Sequence, residues 1–374
     1  MIDIRKHLHA YPELSNEETN TSQFIFNFLK ERTKANEVLR ISTTGILAVF
    51  LGKQQGKSIL LRADIDALPI EEINPFKHRS TVLGVSHKCG HDGHTTILLG
   101  VALELSKKPV YKGKVYLLFQ PAEEIGIGAK TILSTDFFKE ISIDYVFALH
   151  NLPGFPLHQI VIKQNVFTAY VVSMIIKIKG KTSHAAEPEH GKNPANALAQ
   201  IIKKADNLVY NNPSSANFFL ITPIFIHLGD LAYGVSAGAG EIHFTIRAWD
   251  KELATKQCSA LEDFIKEVCF SEKLNFTVSW TQEFEATVNN NEAVDLIKQS
   301  AQKKELSLNE LNTPFKWGED FGLFTSCFKG AMFGIGSGEK SPALHNPDYD
   351  FPDEIIATGI TLFYEILNQA NECP

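Results

Sequence analysis

Between residues 86 and 95 the chain reads Ser86-His87-Lys88-Cys89-Gly90-His91-Asp92-Gly93-His94-Thr95, which sets a thiol and several imidazoles within one short stretch. Thiolate and imidazole are the ligands that zinc and other first-row divalent ions select. On extended backbone, Cys89 and His91 project from one face and can reach a common point. The apolar run 96–105 that follows reads as a helix. A buried free cysteine beside surface histidines would explain any one of these residues alone, so the case depends on what the rest of the chain brings to them.

Three core-like runs end in ionisable residues. Residues 58–61 lead into Arg62-Ala63-Asp64-Ile65-Asp66, residues 114–119 into Gln120-Pro121-Ala122-Glu123-Glu124, and residues 145–149 into His150. In an open α/β sheet the carboxyl ends of the strands are where ligands bind. Together with Leu344-His345 near the C-terminus, these ends yield Cys89, His91, Glu124, His150 and His345 as a candidate ligand set. Calcium or magnesium would favour oxygen ligands alone. Five ligands exceed what one tetrahedral catalytic ion needs, and two ions sharing a bridging ligand would use them all; Cys89 is the candidate bridge. Glu123, on extended backbone, points away from its neighbour Glu124. It is the candidate general base that takes a proton from water and returns it to a leaving amine, which is hydrolysis of an amide. One of Asp64 and Asp66 is expected to orient a metal-binding imidazole. His94, on the starting helix, reads as packing or support.

The elements that must position these groups follow from length and pattern. At 374 residues the chain exceeds one usual core. Apolar and charged fractions of 44% and 21% are those of a globular protein, and a net charge of −7 gives no reason to expect nucleic acid. Five scattered cysteines and no apolar N-terminal segment point to a cytoplasmic protein without a membrane span. Ser15 with Glu18 three residues on has the capping-box pattern for a helix. Runs 46–51 and 58–61 read as two strands joined by a turn. From about residue 168 the style changes to strand, helix, strand, strand, helix, strand, the ferredoxin-like order. The expected fold is therefore α/β: a catalytic metal-binding domain formed by residues 1–167 plus 281–374, with an inserted α+β lid domain at 168–280.

The stretches 62–70, 88–95, 119–124, 149–150, 180–194 and 344–345, with His7-Leu8-His9 and Pro12-Glu13-Leu14 at the start, resemble the amidohydrolase branch of the aminoacylase-like metallopeptidases. That branch includes hippurate hydrolases, indole-3-acetyl-amino-acid hydrolases and N-acetyldiaminopimelate deacetylases. The resemblance spans essentially the whole chain. It implies two divalent ions (zinc, manganese, cobalt or nickel) on the five ligands above, Glu123 as general base or acid, and a lid that forms a homodimer. It also implies a small N-acyl amino acid or peptide-like substrate. Asp64 matches a position assigned catalytic in the diaminopimelate deacetylases, with Asp66 as the alternative. His184, on the lid loop, would bind substrate in the neighbouring subunit's site.

One stretch departs from the pattern. Relatives carry an Asn-Val-Ile-Pro run whose amide helps hold the substrate carboxylate, and here the chain reads Gly234-Val235-Ser236-Ala237-Gly238. Arg247 is expected either to compensate or to form a structural salt bridge. The competing readings are an exopeptidase or dipeptidase on the same centre, and an inactive homologue that keeps the pocket for binding.

Overall fold

The computed structural model describes residues 1–372, so Cys373 lies outside the described residues. The chain forms two compact units. The first comprises Met1–Phe167, Thr287–Asn312 and the chain from Glu319 onwards; the second comprises Thr168–Ala286 and Thr313–Gly318. The second unit's exit falls six residues or so beyond the expected 280 because the strand Asn275–Phe284 stays paired with Tyr170–Lys179 as far as Phe284 opposite Val171. Residues 313–318 join it because Ala169 donates its amide to the carbonyls of Phe315 and Trp317.

The first unit is built on an eight-stranded sheet. Edge to edge its strands are Glu37–Ile41, Gly45–Leu51, Lys112–Gln120, Gln54–Asp64, Tyr145–Leu152, Gly330–Gly336, Ile160–Ile162 and Leu308–Glu310. The central strands are continuous apolar runs because both faces are covered. Ile59, Leu61, Val115, Leu117, Phe147 and Phe333 join Ile97, Leu98 and Val101 of the helix His91–Lys107, and Leu362 and Ile366 of the helix Ile355–Glu372, in one core. Strands 45–51 and 54–64 follow one another in the chain as expected but do not pair. Lys112–Gln120 lies between them, antiparallel to the first and parallel to the second. The parallel set brings Asp64 level with Gln120.

Local signals were overridden at places that matter for the site, and Glu123, which lies in a turn rather than on extended backbone and converges with Glu124 on His91, is one of them. Glu18 does not close a capping box: the helix Thr19–Arg32 has no side-chain cap, and Ser15 instead donates to Asp66 Oδ2 at 2.7 Å. Cys89 and His91 do not lie on extended backbone either. Gly90 between them adopts φ +97°, where a Cβ would stand 2.5 Å from Asn151 Oδ1, and His91 begins the helix. A glycine tolerates that turn at no steric cost.

The second unit is a four-stranded antiparallel sheet in the order Phe219–Leu228, Ala239–Ala248, Tyr170–Lys179, Asn275–Phe284. The helices Ala195–Asp206 and Lys251–Ser271 bury Leu198, Ile201, Leu261 and Ile265 against Met174, Ile176, Phe244 and Ile246. Asp250 caps the second helix by accepting from the amides of Glu252 and Leu253.

Candidate metal centre and active site

In the first unit Cys89, His91 and His150 place one ligand atom each within 4.8 Å of one another, and Cys89, Glu124 and His345 do the same. The thiol is common to both groups. Cys89 Sγ stands 3.5 Å from His150 Nε2. His91 Nε2 and His345 Nε2 each lie 3.7 Å from an oxygen of Glu124. These gaps are too long for nitrogen–oxygen hydrogen bonds. They match the roughly 3.3–3.8 Å that separates two ligands each about 2.0–2.3 Å from a shared tetrahedral ion.

Whether this donor set fits a metal is answered by its unsatisfied atoms. His91 Nε2 and Glu124 Oε1 are buried with no hydrogen-bond partner, an arrangement that costs free energy unless something else meets them. Burial, with Glu124 and Glu123 nearby, pushes the Cys89 thiol well up. Burial, reinforced by Asp66 against the opposing pull of His91, pushes Glu124 up to about 8. Burial and then Glu319 hold Glu123 well above the usual carboxyl range. Such a concentration of desolvated acids fits a multiply charged cation.

The groups behind the ligand candidates are ordered. His91 Nδ1 meets the Asp66 carbonyl at 3.0 Å and Asp66 Oδ1 at 3.2 Å, leaving Nε2 free to face the cluster. Asp66 Oδ2 accepts from the Glu124 amide at 3.0 Å, so one carboxylate holds both a ring and the backbone of a neighbouring ligand candidate. His150 lies within its strand rather than after it, with Nδ1 2.9 Å from the Asn151 carbonyl. His94 has both ring nitrogens engaged, with Asp64 Oδ1 at 2.6 Å and Asn151 Oδ1 at 2.5 Å. His345 sits in a loop with positive φ and a side chain 52% exposed, its amide bonded to the Lys88 carbonyl.

Asp64 belongs to a second layer of charge. The buried Arg62 guanidinium contacts Asp64 at 2.7 Å, Glu319 at 3.0 Å and Asp320 at 2.7 Å, and Gln120 binds both Arg62 Nε and Asp320. Against the cost of burial, His91, His94 and Arg62 hold the Asp64 carboxyl well below its usual range. Glu123, Glu319 and Asp320 form a buried acidic group beside it. In the sequence Arg62 is only part of a strand end, and its charge inside an otherwise apolar strand is the one local sign of a buried partner; nothing of that kind marks Glu319 and Asp320.

In the second unit, His184 lies exposed on the two-residue strand Ser183–His184, opposite Val235, and the Ala185 amide donates to the Gly234 carbonyl at 2.9 Å. Arg247 forms no salt bridge among the described residues; its Nη1 donates to the Lys316 carbonyl at 2.6 Å. The sequence reading missed this because a backbone acceptor leaves no mark in residue type. The described cysteines are free thiols, and no described helix is long and apolar enough to cross a membrane.

Fold and site together define a metal-dependent amidohydrolase. The chain belongs to peptidase family M20/M25/M40, whose model matches residues 60–369. It is 32% identical over 366 residues to an N-acetyl-L-cysteine deacetylase of Bacillus subtilis, covering 98% of this chain and 86% of that protein. It is 30% identical over 368 residues to a hippurate hydrolase of Campylobacter jejuni, covering 97% and 94%. Among solved structures, a Bacillus subtilis protein described as a dinuclear metal-binding peptidase of this family superposes with a TM-score of 0.84 at 26% identity, covering 100% of this chain and 98% of that one.

Proposed function

We propose that this protein removes a small acyl group from N-acyl amino acids or related small N-acyl amines, with Glu123 as the general base and then the general acid. The observation that carries the reading is the placement of Glu123, a buried carboxyl with an oxygen 4.0 Å from His91 Nε2 and directly beside the Cys89, Glu124 and His345 group. Cys89, His91, Glu124, His150 and His345 are the side chains that would hold two divalent ions (zinc, manganese, cobalt or nickel), with Cys89 shared. Such ions, when bound, supply Lewis-acid polarisation of an amide carbonyl and a water acidified towards a pKa of ~7.

The chain's own residues do the rest. Glu123 accepts a proton from the attacking water as the new C–O bond forms, then delivers it to the amide nitrogen as the C–N bond breaks. Burial raises its proton affinity, which favours the proton-accepting half of that cycle. Asp66 fixes the tautomer and direction of His91, and Asp64 does so for His94 while bound to Arg62. His184 binds substrate in the neighbouring subunit's site. The second unit also pairs two copies into a homodimer, a reading supported by the exposed apolar side chains Ile224, Phe225, Ile226 and Leu228 on its edge strand.

The test is a panel of N-acetyl amino acids, N-benzoyl amino acids and dipeptides offered to protein stripped with chelator and reloaded with zinc, manganese or cobalt. Turnover of the acylated members is expected, whereas a preference for dipeptides would instead establish an exopeptidase. Glu123→Gln should lower kcat by about 10²–10⁴-fold with metal content unchanged. Undiminished turnover in that variant would sink the proposal, and binding without metal-dependent turnover of any member would favour an inactive homologue.

A further inference from the structure

Glu123 and Glu124 follow a residue in a conformation that L-amino acids avoid. Ala122 has φ +55°, a left-handed geometry that places its Cβ against the neighbouring carbonyl and that alanine adopts only under constraint. The constraint comes from more than a hundred residues away. Glu18, fully buried, accepts the Ala122 amide on Oε1 at 2.8 Å and the Thr44 hydroxyl on Oε2 at 2.9 Å. A charged acceptor makes these bonds stronger than neutral ones. The neighbouring Ser15 donates to Asp66 Oδ2, the same oxygen that accepts the Glu124 amide. On the far side of the turn, Gly128 donates to the Ala122 carbonyl, and its α-carbon lies so close to Pro121 that any Cβ would clash with the Pro121 carbonyl.

We infer that Glu18 is a positioning residue for the proposed reaction: it clamps Ala122 in the left-handed conformation, and this sets the direction in which the Glu123 side chain leaves the backbone, whereas the Glu124 amide is held separately by Asp66 Oδ2. Relaxation of Ala122 to a right-handed or extended φ would redirect Glu123, while Asp66 keeps its hold on the His91 ring and on the Glu124 amide. The inference rests on the reading of Glu123 as the proton-transfer group. It places the entry segment of the helix Thr19–Arg32, which touches no substrate in that reading, in control of the turnover step.

The experiment compares Glu18→Ala, Glu18→Gln, Ala122→Gly, the double variant Glu18→Ala/Ala122→Gly, and Glu123→Gln. For each, kcat, KM, bound metal and melting temperature are measured on the panel substrate turned over fastest. Glu18→Ala should lower kcat on the order of tenfold, the factor by which a left-handed alanine is disfavoured, with KM and metal content held. Glu18→Gln keeps an acceptor for the Ala122 amide and should run near the parent rate. The double variant should recover most of the lost kcat, because glycine adopts a positive φ without penalty, while its melting temperature stays low. A purely structural role would lower stability without that rescue. Should Glu18→Ala fail to fold, Glu18→Met fills the volume without an acceptor and is read the same way. Parent-level kcat in Glu18→Ala, or a loss that Ala122→Gly does not reduce, overturns the inference. An active Glu123→Gln overturns the underlying reading instead, so the two failures are distinguishable.

Discussion

Replacing Arg62 with methionine tests how the centre is held together. The substitution keeps most of the volume and removes every donor. Three carboxylates, each 1% exposed or less, lose their shared cation: Asp64 at 2.7 Å, Glu319 at 3.0 Å and Asp320 at 2.7 Å. Removing one partner of a buried pair costs about 3–5 kcal/mol. The loss does not triple, because the stranded carboxyls can take up protons. Asp320 already sits at about 7, raised by burial against the pull of Arg62, so neutralising it near pH 7 is cheap. Asp64, held well below its usual range partly by Arg62, is where the charge is missed. At about 2–4 °C per kcal/mol for a unit of this size, Arg62→Met should melt about 6–20 °C below the parent. The sign with pH follows from linkage. A depressed carboxyl stabilises the fold above its unfolded pKa, and without Arg62 the native-state pKa values of these carboxyls rise, so the variant's native state gains protons that the parent's does not. Its deficit should therefore be largest at pH 8 and shrink towards pH 5. Melting curves followed by circular dichroism at pH 5, 6.5 and 8 give the answer. A melting point within about 2 °C of the parent throughout, or a deficit that grows as pH falls, would refute the reasoning, because three 3 Å contacts to one guanidinium could not then be worth a buried ion pair.

Other perturbations read separate parts of the molecule. A Cβ at Gly234 meets no atom within 4 Å, so Gly234→Asn should leave the melting temperature unchanged and, by restoring the amide found in relatives, lower KM several-fold for N-acyl amino acids with a free carboxylate; equal effects on carboxyl-amidated substrates would show that position 234 does not read that group. His9 is buried, a change that alone would lower its pKa, yet hydrogen bonds to Asp92 and Glu72 push it up to about 9. It should contribute about 3 kcal/mol below pH 6.5, lost as pH rises through 9, and an imidazole titrating near 6.5 by NMR would contradict this. Ile226, 52% exposed on the second unit's edge strand, should tolerate lysine while the solution mass drops from about twice 41.6 kDa to one copy; a parent already monomeric would remove the dimer.

What the sequence made legible were the places where buried strands stop. A strand covered on both faces is written as an unbroken apolar run, so Asp64, Glu123, Glu124 and His150 stood out as interruptions. Residues whose partners are remote did not. Glu18 looked like the fourth member of a capping box because the local pattern is genuine, but a carboxylate that reaches the Ala122 amide over 104 positions leaves no local trace. The left-handed turn at Gly90 could not be told from extended chain by residue type. Runs 45–51 and 54–64 are close in sequence, and nothing within them reveals that Lys112–Gln120 separates them in the sheet. His345 lies in an exposed loop outside any strand, so no interrupted apolar run marks it as the strand ends are marked.

The strand Gly330–Gly336 occupies an interior place in the large sheet, between Tyr145–Leu152 and Ile160–Ile162. During synthesis, at about 5–20 residues per second, the ribosome will have released the whole inserted unit before that slot can be filled. Until then the nascent chain holds two unpaired strand borders of high apolar content, the kind of template that captures other chains. His345 emerges later still. On the proposed reading, a chain that stalls after residue 312 lacks both the interior strand and the ligand candidate His345, and is an aggregation hazard rather than a smaller enzyme.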